Sequence, residues 1–423
     1  MASKTERIKA WVSNNVVVTK AVFFILGLVV SQSIVEYMVV CKLMLFLEEK
    51  IGPILIVSSI IINAFDGVSS LFPFLLAYIA HAYTNSFNVT VFTTGAYAMG
   101  LILLWVTAEF DEHSMFYVAL VLIALGKSGR GSTLQSFLQD QLMMKKMKDH
   151  NHNHNHTRET PISEQHQNAG ITITDEPHTD QVLLHLHLHL PTKIWWHSAW
   201  ICGYVISLCA LGNATHHHSW SKHLEISALL VATAHLVFYS GFFCYAYIYN
   251  QDPPRRPFGI ADFRELKPDT YKEILLWAAF IGYSLVLATG NTLFIAQTSS
   301  TKFVGSKGII NPVSLFFVLK SFICDIVVFL FWCVVEAKKK VVGTTNTITM
   351  VRIGGGMICG VLCCVIAREV EIQRLDLIRK EGILSPNDTS SAMGVLWLTP
   401  QYCLLGLMEG LAGGGFVTHN QRN

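Results

Sequence analysis

Charge is scarce in this chain. Asp, Glu, Lys and Arg make up 14% of its 423 residues, against about 25% in a soluble domain. The formal net charge of +2 is too small to suggest a nucleic-acid partner. There is no P-loop, no Rossmann glycine pattern in a βαβ setting and no nucleophile elbow, so nothing supports an enzyme or a bound cofactor. Without a nucleotide motif, any transport is secondary. No CxxC pair stands in a loop. The ten cysteines fall nearly all inside apolar runs and read as packing residues rather than a disulfide frame. No convincing cleavable signal peptide is read either. The first twenty residues are polar and basic (Lys4, Arg7, Lys9, Lys20), and the apolar run after them is too long for a signal.

Apolar sequence is abundant: 52% of the chain is hydrophobic. It is gathered into ten runs, at 21–47, 60–83, 89–108, 115–138, 194–212, 224–248, 273–297, 312–335, 348–367 and 391–412. A run of about 20 apolar residues matches the hydrocarbon thickness of a bilayer. Only helices and closed barrels satisfy their own backbone in lipid. The pattern therefore predicts an all-α, polytopic membrane protein of about ten transmembrane helices. The stretch 51–83 is longer than one span and contains Pro53, Asn63, Asp66 and Pro73.

The Lys/Arg bias of the short loops places the N-terminus in the cytoplasm. Segment 1–20 is then cytoplasmic, and 21–248 forms a six-helix bundle with a cytoplasmic loop at 143–192. Residues 249–272 are a basic cytoplasmic linker (Pro253, Pro254, Arg255, Arg256, Pro257), and 273–423 hold four more helices.

Charge at membrane depth costs about 3 kcal/mol, so it is kept where it faces a bundle interior or a cavity. Four residues qualify: Glu36, Lys320, Asp325 and Glu409. Lys320 and Asp325 are five apart, roughly 140° round a helix, so each needs a partner elsewhere. Glu409 stands between Pro400-Gln401-Tyr402 and Gly413-Gly414-Gly415, and the fourth run carries its own glycine-rich break at Gly126–Gly131. Such breaks at matching places mark midplane sites, or serve close helix packing. His150, His152, His154 and His156 alternate with asparagines in the 143–192 loop. A solvated linker is favoured there over a metal site.

Several stretches resemble the plant nitrate/peptide transporter family, the proton-dependent oligopeptide transporter branch of the major facilitator superfamily. They are Trp397-Leu398-Thr399-Pro400-Gln401-Tyr402 through Glu409-Gly410, Thr349–Met357, Val91–Tyr97, Ala124–Lys127, Phe137…Asp140-Gln141 and Trp195-Trp196, in order along the chain. The resemblance implies a twelve-helix bundle in two halves, with alternating access around a central site, in the plasma or vacuolar membrane. Here the last two helices are absent from the sequence, which would leave a face for lipid or a partner subunit. The resemblance also implies a small-molecule or ion substrate, and Glu409 matches the family's tenth-helix substrate-site glutamate. The leading reading is a secondary transporter in which Glu409 holds a cationic group or proton, Glu36, Tyr37, Gln401 and Lys320 line the route, and Lys320 and Arg130 are the cations available to an anion.

The departures from the family pattern are specific. The first-helix Glu-x-x-Glu-Arg/Lys motif falls on Ser33, Ile34, Val35, Glu36 and Tyr37, and the fourth-helix cation falls on Gly131, with Arg130 beside it. An ionic network mostly lost, and weak or absent proton coupling, are expected. Two other readings compete: a non-transporting membrane relative or incomplete gene model, and a metal-handling membrane protein built on the His-rich loop.

Overall fold

A computed structural model describes residues 20–40, 43–51, 55–110, 113–142, 195–209, 220–245, 270–299, 301–302, 312–338, 345–381 and 391–413. The His-rich loop 143–192, with His150, His152, His154 and His156, lies outside the described residues, as does most of the linker 249–272.

Helix α1 is Lys20–Met38 and α2 is Leu43–Ile51. They are followed by α3, Leu55–Ala82, and α4, Ser86–Phe110. Helix α5, His113–Gly129, passes through a π turn at Arg130–Leu134 into α6, residues 135–142. Helix α7 covers 195–209, and α8, Trp220–Ser240, closes in a 3-10 turn at Gly241–Cys244. In the C-terminal half come α9, Thr270–Asn291, and α10, Leu293–Ser299. Helix α11 is Pro312–Lys338 and α12 is Thr345–Glu381. Helix α13, Thr399–Met408, runs into a second π turn at Glu409–Gly413. Two short strands, Thr301–Lys302 and Ser391–Gly394, pair in parallel.

Among the described residues, seven helices are long and apolar enough to cross a membrane. Of the other three expected spans, 115–138 is helical with a π turn inside it, 194–212 is helical over its described residues 195–209, and 391–412 opens on the second strand and a 3-10 turn before α13. Four expected boundaries are corrected. The first run, 21–47, is two helices rather than one, with a break after Met38 that no Pro or Gly announces. The seventh, 273–297, is interrupted at Thr292 and extends to Ser299. The ninth does not stop at 367, because its charged continuation to Glu381 is made of good helix formers and carries an i,i+3 Arg374–Glu371 ion pair. The tenth begins only at Thr399, because Pro400 fits the first helical turn and not the interior.

Helix α1 is the most enclosed: Val22, Ile25, Val29 and Val35 have no exposure. Helices α8, α11 and α12 instead turn Leu236, Val237, Leu330, Val361 and Val365 outward, as lipid-facing helices do. In the C-terminal half the core gathers around Tyr402, whose ring stacks on Phe316 with centroids 4.7 Å apart.

Glycines set the closest helix contacts. A Cβ on Gly406 would stand 2.5 Å from the Lys320 carbonyl oxygen, and one on Gly410 would stand 2.9 Å from that of Cys324. Both glycines let α13 lie directly on α11, which is what brings Glu409 to Lys320. Gly406→Ala therefore forces the helices apart and destabilises the protein by about 1–3 kcal/mol. A lower thermal midpoint in detergent is the expected reading; an unchanged one would remove this account of the packing.

Candidate functional site

The two halves enclose a cavity of about 1160 Å³. Its N-terminal wall carries Glu36, Tyr37, Asp66, Lys127, Arg130 and Trp200, and its C-terminal wall carries Asn291, Lys320, Ser321, Asp325 and Glu409. These charges sit in helices that are otherwise apolar, which is where membrane proteins place solute pathways.

On the N-terminal side, Glu36 is the hub. Its Oε1 is 3.3 Å from Lys127 Nζ and its Oε2 is 3.2 Å from the Arg130 guanidinium. Lys127 and Arg130 are three residues apart, so both lie on one face of the fourth span. Lys127 Nζ is also 3.3 Å from Asp66 Oδ1. The Arg130 guanidinium lies over the Trp200 ring, 4.4 Å from its centroid, a cation–π contact. Gly126 and Gly129 face Tyr97 and Thr93 of α4 at backbone range. That close approach seats this part of α5.

On the C-terminal side, Lys320 Nζ is 3.1 Å from Glu409 Oε2. Asp325 Oδ1 is 3.0 Å from His197 Nδ1, and its Oδ2 accepts from Tyr204 at 3.5 Å. Lys320 and Asp325 thus take partners on other helices, as their angular separation requires.

Hydrogen bonds besides that Asp325 contact also join the halves. Tyr37 donates to Ser321 Oγ at 2.7 Å, and Asn291 Nδ2 donates to Asp66 Oδ2 at 2.9 Å.

The structure brings five of the six expected pathway residues to the cavity: Glu36, Tyr37, Arg130, Lys320 and Glu409. Gln401 is placed elsewhere. It is fully buried, its Nε2 donates to Gln297 Oε1 at 2.9 Å, and Gln297 in turn donates to Glu371. The expected loss of the ionic network is corrected. Glu36 has two cations, and neither stands at the position that the family pattern names. Lys127, Asp66, Asn291 and His197 were not foreseen as site residues. The available signal was Lys127 and Arg130 sharing a face in a span that must pack near Glu36. Among the described residues no group of three or more His, Cys, Asp or Glu is placed to hold a metal ion.

Comparison with known proteins places this architecture. Residues 263–416 match the sequence profile of the POT family. The chain is 23% identical to Protein NRT1/PTR FAMILY 5.13 of Arabidopsis thaliana, over 92% of this chain and 76% of that protein. It is 24% identical to Protein NRT1/PTR FAMILY 5.10 of the same plant, over 91% of this chain and 75% of that protein.

The C-terminal part of the chain thus resembles the POT family, and the chain as a whole is similar to NRT1/PTR FAMILY proteins.

Solved structures agree in fold. An auto-inhibited POT family peptide transporter superposes with a TM-score of 0.62 at 15% identity, covering 94% of this chain and 82% of that one. The POT family transporter PepTSo gives 0.61 at 15% identity, covering 95% and 83%. The chain is accordingly a multi-pass membrane protein with the helical-bundle fold of these two transporters. Nothing in these matches supports the expected partner subunit.

Proposed function

We propose that this protein is a secondary transporter of a small nitrogenous or organic solute, such as nitrate, a small peptide or a related metabolite. It works by alternating access in the plasma or vacuolar membrane. The observation that supports this most is the cavity between the halves, walled by ion pairs from both. Lys127, Arg130 and Lys320 each already face a carboxylate within 3.3 Å. A bare anion must displace an internal carboxylate to bind any of them. A solute carrying both an amine and a carboxylate can exchange with such pairs one sign at a time. Zwitterionic solutes are therefore favoured over nitrate. Proton coupling is weak in this reading, because both Glu36 oxygens are engaged by cations.

The test is tracer uptake into liposomes carrying the protein, across nitrate, dipeptide and hormone panels, with and without an inward proton gradient. Saturable uptake of a zwitterion is expected, exceeding that of nitrate, little changed by the gradient, and lost in Glu409→Gln. Uptake no greater than in empty liposomes across all panels, with Glu409→Gln indistinguishable, would overturn it.

A further inference from the structure

We infer that Asp66 is a positioning residue for Lys127 and that it couples separation of the two halves to the ion pairs of Glu36. The inference rests on the transport reading above. Asp66 lies on α3, and its two oxygens face opposite ways. Oδ1 is 3.3 Å from Lys127 Nζ in the same half, and Oδ2 accepts from Asn291 Nδ2 in the other half at 2.9 Å. Lys127 Nζ is in turn 3.3 Å from Glu36 Oε1. Asn291, Asp66, Lys127 and Glu36 thus form one polar line from α9 through α3 and α5 to α1.

Three features make this line a coupling device rather than simple neutralisation. Lys127 sits at the same distance from Glu36 and from Asp66. Its share between them is balanced, and a change at either carboxylate is felt at the other. The backbones that carry the pair are locked together at this level. Ser128, next to Lys127, bonds the carbonyl of Ser69, one turn on from Asp66, at 2.7 Å. The Asp66–Lys127 spacing therefore cannot drift when the halves move. Among the described residues no donor serves the buried Oδ1 of Asn291, so the bond to Asp66 is what orients its amide. When the halves part, Asp66 loses that amide donor. Its charge then draws Lys127 more strongly, and Glu36 is left more to Arg130. Opening is reported to Glu36 without any movement of α1.

Double-variant cycles decide it. With a transported solute from the panels above, Asp66→Asn and Asn291→Ala each lower the maximal uptake rate about tenfold with little change in KM, since a conformational step and not binding is impaired. The double variant is no worse than either single one, and Asp66→Glu recovers most of the rate. A purely charge-neutralising Asp66 predicts instead that Asn291→Ala, which keeps every charge, is silent, and that outcome overturns the inference. Thermal midpoints in detergent give a reading independent of transport. The effects of Asn291→Ala and Glu36→Gln are expected to be non-additive, and to become additive in a Lys127→Met background. Additivity in both backgrounds would sink the relay even if every solute were transported. Absence of all uptake would sink the transport reading and leave these cycles to decide the relay.

Discussion

Glu36→Gln abolishes uptake and lowers stability by about 2–3 kcal/mol, the largest loss expected from any single change on the N-terminal wall. Two cations lie at 3.2 and 3.3 Å from its carboxylate. At an effective dielectric near 20 each such attraction is about 5 kcal/mol before desolvation is set against it. Removing one acid therefore disturbs both cations at once. Lys127 keeps Asp66 and Arg130 keeps the Trp200 ring, so the fold is weakened rather than lost. The Glu36 side chain keeps 16% exposure, which places the loss below the 3–5 kcal/mol typical of a fully buried pair. Tracer uptake and a tryptophan-fluorescence melt in detergent measure the two effects. A Glu36→Gln protein that melts and transports like the parent would show that the hub is not one.

The Lys320–Glu409 pair yields the second large effect, and burial sets its sign. The Lys320 side chain is 8% exposed and that of Glu409 is 33% exposed. Glu409→Gln leaves the more deeply buried charge facing an amide. Lys320→Met leaves the more hydrated one, which water can partly serve. Glu409→Gln is thus the more destabilising of the two, by about 1–2 kcal/mol. The double variant Lys320→Met/Glu409→Gln recovers most of the lost stability, because replacing both members of an ion pair by uncharged groups is often close to neutral. It does not recover uptake, since the site then has no charge on its C-terminal side at this position. Melts of the three variants rank the energies, and uptake separates fold from function. If Lys320→Met is the worse single variant, the exposure argument fails.

Much of this was visible in the residues, and the limits have physical causes. The helical, membrane-spanning character follows from apolar length alone, although the ends and breaks of the runs do not. Glu36, Lys320 and Glu409 were found because a charge at membrane depth is rare enough to stand out. Lys127 was not, because it sits among the glycines Gly126 and Gly129 and read as part of a break. Asp66 was hidden in a run that also holds Pro73 and exceeds one span. The facing of these residues could not be read from periodicity, since helices that are apolar on all sides carry no stripe to orient them. The same blindness explains Gln401. A polar residue beside Pro400 reads as cavity lining, but its amide is occupied within the C-terminal half by Gln297.

Helix α12 has a mechanical consequence. Its 37 residues measure about 55 Å, against roughly 30 Å of hydrocarbon. The charged end from Arg368 to Glu381 projects beyond the apolar part as a stiff rod. It is not a loose tail, because Arg374 grips Glu371, Glu371 receives Gln297, and Gln297 receives Gln401. Rod, α10 and α13 are thereby tied into one rigid piece. A tilt of the C-terminal half by a few degrees would swing the far tip through several ångströms, making it a pointer that amplifies what happens at the centre.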